Sequence, residues 1–173
     1  MIFTGKNILI VGTGISGMGA LKALSTVQAN CILYDSNENL GKEDIMKKLP
    51  EGCHAEICIG KLSEEVLHSL DMAVVSPGVP IDSPFLDILR AEGIAIIGEI
   101  ELGYQLAKGR IIAITGTNGK TTTTTLVGQM MQDYFSSVFV VGNIGNPYTL
   151  EALKTTEESV TVAEISSFQL ETV

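Results

Sequence analysis

Short β-branched runs that alternate with helical patterns predict an α/β protein built on parallel sheets. Two glycine-rich turns sharpen that expectation: Gly12-Thr13-Gly14-Ile15-Ser16-Gly17 and, about a hundred residues later, Gly116-Thr117-Asn118-Gly119-Lys120-Thr121. Each follows an apolar strand-like run and precedes a helical pattern, so each can aim backbone N–H groups and a helix N-terminus at an anion. Two such turns on one chain of 173 residues point to two phosphorylated ligands brought together.

The elements follow in order. Residues 7–11 read as the first strand, and 17–28 as a helix with Met18, Leu21 and Leu24 on one face. Residues 31–34 return as a second strand, which completes a βαβ unit. Further strands are expected at 56–59, 73–75 and 95–97, separated by helical stretches at 42–48, 64–70 and 84–91. Ser63 and Ser83 stand where N-caps belong, and Pro84 occupies a first helical position. A change of unit falls near Gly98, where 99–107 reads as a connecting helix. A second βα series then brings strands at 111–115, 138–141 and 160–164. Its first helix carries Leu126, Met130 and Tyr134 at one-turn spacing, and another helix follows Glu164. The whole reads as a Rossmann-like, doubly wound N-terminal domain over 1–98, then the first part of a P-loop-type ATPase domain with a parallel sheet over 99–173.

Composition excludes several classes. With 45% hydrophobic and 18% charged residues the chain has the make-up of a globular protein. A formal net charge of −9 leaves no electrostatic footprint for nucleic acid, so phosphate must be recognised locally. No apolar run approaches membrane-spanning length, and the run Ile8-Leu9-Ile10-Val11 ends in glycine with no signal-type cleavage pattern. A cytoplasmic location is expected. Cys31, Cys53 and Cys58 are odd in number and form no C-x-x-C pair, which argues against a disulfide framework. Cys53, His54, Cys58 and His68 fit no familiar zinc spacing.

The second glycine turn departs from the formal Walker sequence, since Ile114 stands where a glycine is required. In this shortened loop Gly116 and Gly119 let the backbone curl around phosphate oxygens. Lys120 supplies a point charge to the outer phosphates, and Thr121 offers a hydroxyl to Mg2+. Glu164, closing a nearby strand, is the natural second oxygen ligand. Residues 121–125 are all threonine, at a cost of about 2–3 kcal/mol in helix propensity relative to alanine. Thr121 is read as functional, and 123–125 as a polar, solvated first turn. The first turn is less specific, because G-x-G-x-x-G with Asp35 about twenty residues on also fits an NAD(P)-dependent oxidoreductase or a free-standing nucleotide-binding module. The oxidoreductase reading leaves Lys120 and Glu164 without a task.

Four further segments, Ser76-Pro77-Gly78, Gly98-Glu99-Ile100-Glu101-Leu102, Gly142-Asn143-Ile144-Gly145 and Glu164-Ile165-Ser166-Ser167-Phe168-Gln169-Leu170-Glu171, resemble the Mur ligases of peptidoglycan synthesis, as does the loop 116–121. The resemblance runs from the first strand to the last residue. Around Phe168 it is to the branch of the family that adds D-glutamate.

That resemblance implies ATP and Mg2+ as cofactors, and UDP-N-acetylmuramoyl-L-alanine, D-glutamate and ATP as partners. Gly14, Ile15, Ser16 and Gly17 would hold the UDP diphosphate, with Asp35 and Ser36 near the uridine and Ser76 and Gly78 lining the same pocket. Asn143, Ser166 and Gln169 would touch the muramyl-alanine portion. Gly116, Thr117, Asn118, Gly119, Lys120, Thr121, Thr122 and Thr123 would contact ATP phosphates, and Thr121 and Glu164 the metal. The implied reaction passes through an acyl phosphate, with the protein positioning reactants and offsetting charge. It also implies a longer, monomeric parent with a modified lysine, a histidine ligand and a C-terminal domain. The 173-residue chain is therefore expected to be a piece that does not ligate alone, and to expose a sheet edge that favours self-association.

Overall fold

A computed structural model describes residues 2–143 and 146–173; Ile144 and Gly145 of the third motif lie outside the described residues. The chain divides into two compact units, Met1–Glu99 and Ile100–Val173.

The first unit holds β1 (Asn7–Val11), α1 (Ile15–Thr26), β2 (Asn30–Asp35), α2 (Lys42–Met46), β3 (Glu56–Ile59), α3 (Glu64–Ser69), β4 (Met72–Val75), α4 (Pro84–Ala91) and β5 (Ala95–Gly98). Its five strands run in the order β3-β2-β1-β4-β5, and every pairing is parallel. Chain order reverses between β1 and β4, the place where such sheets open a crevice at their carboxyl ends. The register sets Val11 opposite both Tyr34 and Val75, so the turns after β1, β2 and β4 leave the sheet side by side.

Strand residues alternate between two buried faces. Leu9, Val11, Ile32, Tyr34, Ala73 and Val75 pack with Leu86 and Leu89 of α4 and with Ile94. Ile8, Ile10, Leu33 and Val74 point the other way and are buried too, as are Leu21 and Leu24 of α1. That second burial explains why the strands read as continuous apolar runs. Helix α1 starts at Ile15, two residues before the expected start, because Gly14 already serves as its N-cap. It ends in a Schellman-type turn, with Gln28 at φ 61° and the Ala29 N–H donating to the Leu24 carbonyl. Ser63 caps α3 by accepting from the Val66 N–H at 3.3 Å. Ser83 does not cap α4 with its side chain, contrary to expectation. Among the described residues its Oγ is buried without a partner, while Pro84 holds the first helical position and the Ser83 carbonyl accepts from Leu86 N–H.

The second unit contains α5 (Glu99–Leu106, whose first residue closes the first unit), β6 (Arg110–Ile114), α6 (Lys120–Gln132), β7 (Val138–Gly142), α7 (Tyr148–Ala152), β8 (Val160–Glu164) and α8 (Ser167–Leu170). Its sheet is β6-β8-β7, again parallel, with all five residues of the central β8 buried. Among the described residues β6 is paired on one side only, while β7 carries on its other side a single parallel bridge from Val141 to Asn146. Ile100, Val141, Tyr148, Ala152, Ala163 and Ile165 form the core. Tyr148 sits so close to Gly103 that a Cβ there would meet its ring at 2.6 Å.

Helix α6 corrects two expectations. The helix ends at Gln132, so Tyr134 lies beyond it and is 85% exposed, and Leu126 and Met130 are 50% and 49% exposed. Thr124, expected in a solvated turn with Thr123 and Thr125, is fully buried, together with Gly128. The reason is close approach. A Cβ on Gly128 would stand 2.7 Å from a Val140 methyl, so only small residues fit on the buried side.

Candidate functional site

The turn after β1 is shaped by contacts that leave no room for side chains. Gly12 adopts φ +105°, and a Cβ on it would come within 2.9 Å of Ser76 Oγ. A Cβ on Gly17 would collide with the Gly12 carbonyl oxygen. Gly14 has ordinary φ and open space around it, so its lack of a side chain keeps clear the approach to the first turn of α1. The first intrahelical bond runs from Met18 N–H to the Gly14 carbonyl, which leaves the amides of Ile15, Ser16 and Gly17 as the helix-terminal donors. Ile15 is 82% exposed at that mouth.

Asp35, at the end of β2, reaches across to this turn. Its Oδ2 accepts from Thr13 Oγ1 at 2.7 Å and from Thr13 N–H at 3.2 Å, while Oδ1 accepts from Asn37 N–H at 3.1 Å. Asp35 and Ser36 line a cavity of about 460 Å³ with Gly12, Gly78, Tyr34 and Phe85. The rings of Tyr34 and Phe85 stack at 4.1 Å and 13°. Burial, reinforced by the neighbouring Asp35 charge, pushes the Tyr34 phenol up, so it stays a neutral donor to the Gly60 carbonyl at 2.7 Å. Sequence reasoning had no place for Thr13, Tyr34 or Phe85, because none belongs to the glycine pattern. Ser76 stands beside Gly12 at the end of β4, so Gly14, Ile15, Ser16, Gly17, Asp35, Ser36, Ser76 and Gly78 all lie at one end of this sheet.

In the second unit the carboxyl ends of the strands converge in the same way. Ile114, Glu164 and Gly142 share a register level. Gly116 has φ +151° and Gly119 φ +75°, the left-handed value that turns the chain into α6. Thr117, Asn118, Thr122 and Thr123 are exposed around that turn. Lys120 Nζ donates to the Gly116 carbonyl at 2.7 Å, closing the loop on itself.

Thr121 Oγ1 donates to Glu164 Oε2 at 2.9 Å, and Glu164 is only 4% exposed. Among the described residues no Lys or Arg forms an ion pair with this carboxylate. A buried carboxylate beside a neutral hydroxyl is a hard-oxygen donor pair that suits Mg2+, which accepts few protein ligands and completes its shell with water or phosphate oxygens. Among the described residues no group of three or more His, Cys, Asp or Glu side chains offers a protein-only cage.

Asn143 is exposed at the end of β7, its N–H donating to the Glu164 carbonyl at 3.1 Å. Ser166 and Gln169 are occupied with each other in a capping box at the start of α8: Gln169 N–H donates to Ser166 Oγ at 3.3 Å, and Ser166 N–H to Gln169 Oε1 at 2.9 Å. They hold α8 directly after the Glu164 strand.

The chain has relatives among known proteins. Residues 6–98 match the model of the Mur ligase MurD-like N-terminal domain, and 114–172 that of the Mur ligase middle domain. The chain is 59% identical over 168 residues to the UDP-N-acetylmuramoylalanine--D-glutamate ligase of Lachnospira eligens, covering 97% of this chain and 37% of that protein. It is 56% identical over 173 residues to the enzyme of the same name from Lachnoclostridium phytofermentans, covering 100% and 38%. The chain thus spans little more than a third of these curated relatives. Among solved structures, a pseudomurein peptide ligase type C from Methanothermus fervidus aligns with a TM-score of 0.50 at 22% identity, over 94% of this chain and 33% of that one, a likeness of fold.

Proposed function

Since the chain belongs to the Mur ligase family, we propose that it supplies the UDP-substrate domain and the opening part of the ATP domain of a ligase that joins D-glutamate to UDP-N-acetylmuramoyl-L-alanine. The boundary we assign between those parts is 1–98 and 99–173. The observation that carries this reading is the Thr121–Glu164 contact beside the left-handed Gly119, where a triphosphate and its metal would be held.

In this reading the amides at the start of α1 hold the diphosphate of the UDP carrier, with Ser76 and Gly78 flanking it and Asp35 and Ser36 at the uridine end. Gly116 to Thr123 wrap the ATP phosphates, and Asn143, Ser166 and Gln169 lie on the side of the muramyl-alanine portion. Thr121 and Glu164 hold Mg2+, which when bound offsets charge on the phosphates. Lys120 leaves the Gly116 carbonyl and places its ammonium against the outer phosphate oxygens, exchanging a neutral acceptor for an anionic one that binds the ammonium more strongly. The alanine carboxylate of the precursor takes the γ-phosphoryl group from ATP. The D-glutamate amine then displaces phosphate from the acyl phosphate, so no side chain of the protein acts as a nucleophile. The reaction takes place where soluble ATP and amino acid are available, in the cytoplasm. No helix among the described residues is long and apolar enough to cross a membrane.

Calorimetric titration of the 173-residue chain tests the proposal. UDP-N-acetylmuramoyl-L-alanine and MgATP are each expected to bind at one site, and NAD to bind far more weakly than the UDP compound. Binding of NAD in preference to the UDP compound would overturn the reading.

A further inference from the structure

The acid at the end of a second strand is the group that reads ribose in dinucleotide-binding sheets, yet here most of its hydrogen-bonding capacity is already in use. A carboxylate offers about four acceptor sites, two on each oxygen. Thr13 fills both sites of Asp35 Oδ2, through its hydroxyl at 2.7 Å and its N–H at 3.2 Å, and Asn37 N–H takes one site of Oδ1 at 3.1 Å. Among the described residues no other group donates to Asp35, so one acceptor site remains. That is enough for a single donor, such as the imide N–H of a pyrimidine or one hydroxyl, and too few for the paired hydroxyls of a ribose diol.

The same contacts tie the glycine turn to β2. Gly12 N–H donates to the Tyr34 carbonyl at 2.8 Å, and Thr13, next in sequence, donates twice to the following residue of the strand. An added Cβ at Gly14 would meet nothing within 4 Å, so the Thr13 contacts are the side-chain anchor nearest to the amides of the α1 first turn. The Thr13 hydroxyl is therefore placed to do two things: to fix the direction in which those amides point, and to use up the part of Asp35 that a second sugar hydroxyl would need.

We propose that Thr13 is a positioning residue that sets nucleotide selectivity at the first glycine turn, committing Asp35 to the loop so that the site accepts a uridine diphosphate and rejects a dinucleotide ribose. The inference rests on the UDP-substrate reading above and names a residue that the glycine pattern leaves blank.

The test is calorimetry with UDP and with NAD on the wild-type chain, Thr13→Val and Thr13→Ser, together with amide hydrogen exchange at Thr13. Valine keeps the shape of threonine and removes only the O–H. Thr13→Val is expected to bind UDP about tenfold more weakly, as for the loss of one hydrogen bond to a charged group, and to narrow the preference for UDP over NAD. Thr13→Ser should return both to within about twofold of wild type. The Thr13 amide should exchange slowly in the ligand-free wild-type chain. A purely structural role would lower the melting temperature without moving the UDP-to-NAD ratio, and that result would overturn the proposal. So would wild-type affinity in Thr13→Val, or a fast-exchanging Thr13 amide should that variant not fold. A folded wild-type chain that binds no UDP would instead overturn the UDP reading itself, and the inference with it.

Discussion

At Gly17 an added Cβ would run into the carbonyl oxygen of Gly12, whereas at Gly119 it would meet nothing within 4 Å, and the obstacle is only the backbone angle of +75°. The two phosphate-type turns of this chain thus use glycine for different reasons. The first is packed: Gly12 lies against Ser76, Gly17 against Gly12, and Thr13 is fastened to Asp35. The second is open and held by its own lysine, with Lys120 on the Gly116 carbonyl and an exposed run from Thr115 to Gly119. A packed turn is formed before its ligand arrives. An open turn closed by a lysine must exchange one partner for another when phosphate binds, so its order depends on the ligand more than on the fold.

The contrast can be broken most severely at Gly17. Gly17→Ala is expected to destabilise the first unit by about 3 kcal/mol, since the obstruction is backbone rather than a movable side chain. Urea unfolding followed by circular dichroism would read this, and a loss under about 1 kcal/mol would show that the turn is not packed as described. A large effect of a different kind is expected at Lys120. Lys120→Ala should weaken MgATP binding by about 100-fold, the upper range for a hydrogen bond to a charged group, while the urea midpoint stays near that of wild type. A matching fall in stability would mean that the Lys120–Gly116 contact supports the fold rather than waiting for phosphate. The smallest effect belongs to Gly119→Ala, about 1 kcal/mol for a side chain in the left-handed region with no clash. A cost as large as that of Gly17→Ala would erase the distinction between the turns.

Much of the chain was legible because its signals are local. Strands Asn7–Val11, Glu56–Ile59 and Val160–Glu164 and helix Pro84–Ala91 lie where apolar runs, turn residues and Pro84 put them. Thr121 and Glu164, 43 positions apart, could be paired in advance because parallel strands bring their carboxyl ends together. Other features were not legible. Helix Tyr148–Ala152 has five residues, too few to display a helical period, although it buries Tyr148 in the core of the second unit. Leu126, Met130 and Tyr134 carry the helical spacing of a core face, yet α6 lies on its sheet through Thr124 and Gly128. Hydropathy does not register a preference for smallness. The partnership of Ser166 with Gln169 is visible as the S-x-x-Q spacing of a capping box, a signal the family motif overshadowed.

Alternation of strands and helices, the two turns, and the identity of the residues at their mouths follow from the amino-acid order, because periodicity, glycine freedom and capping act over a few neighbouring positions. Partnership did not follow from it. That Asp35 faces Thr13 and that Thr124 rather than Leu126 meets the sheet are settled by strand order, register and the distance between layers. A hydrogen bond needs its donor and acceptor within about 3 Å in the right direction, and only the folded chain sets that distance for residues far apart in sequence.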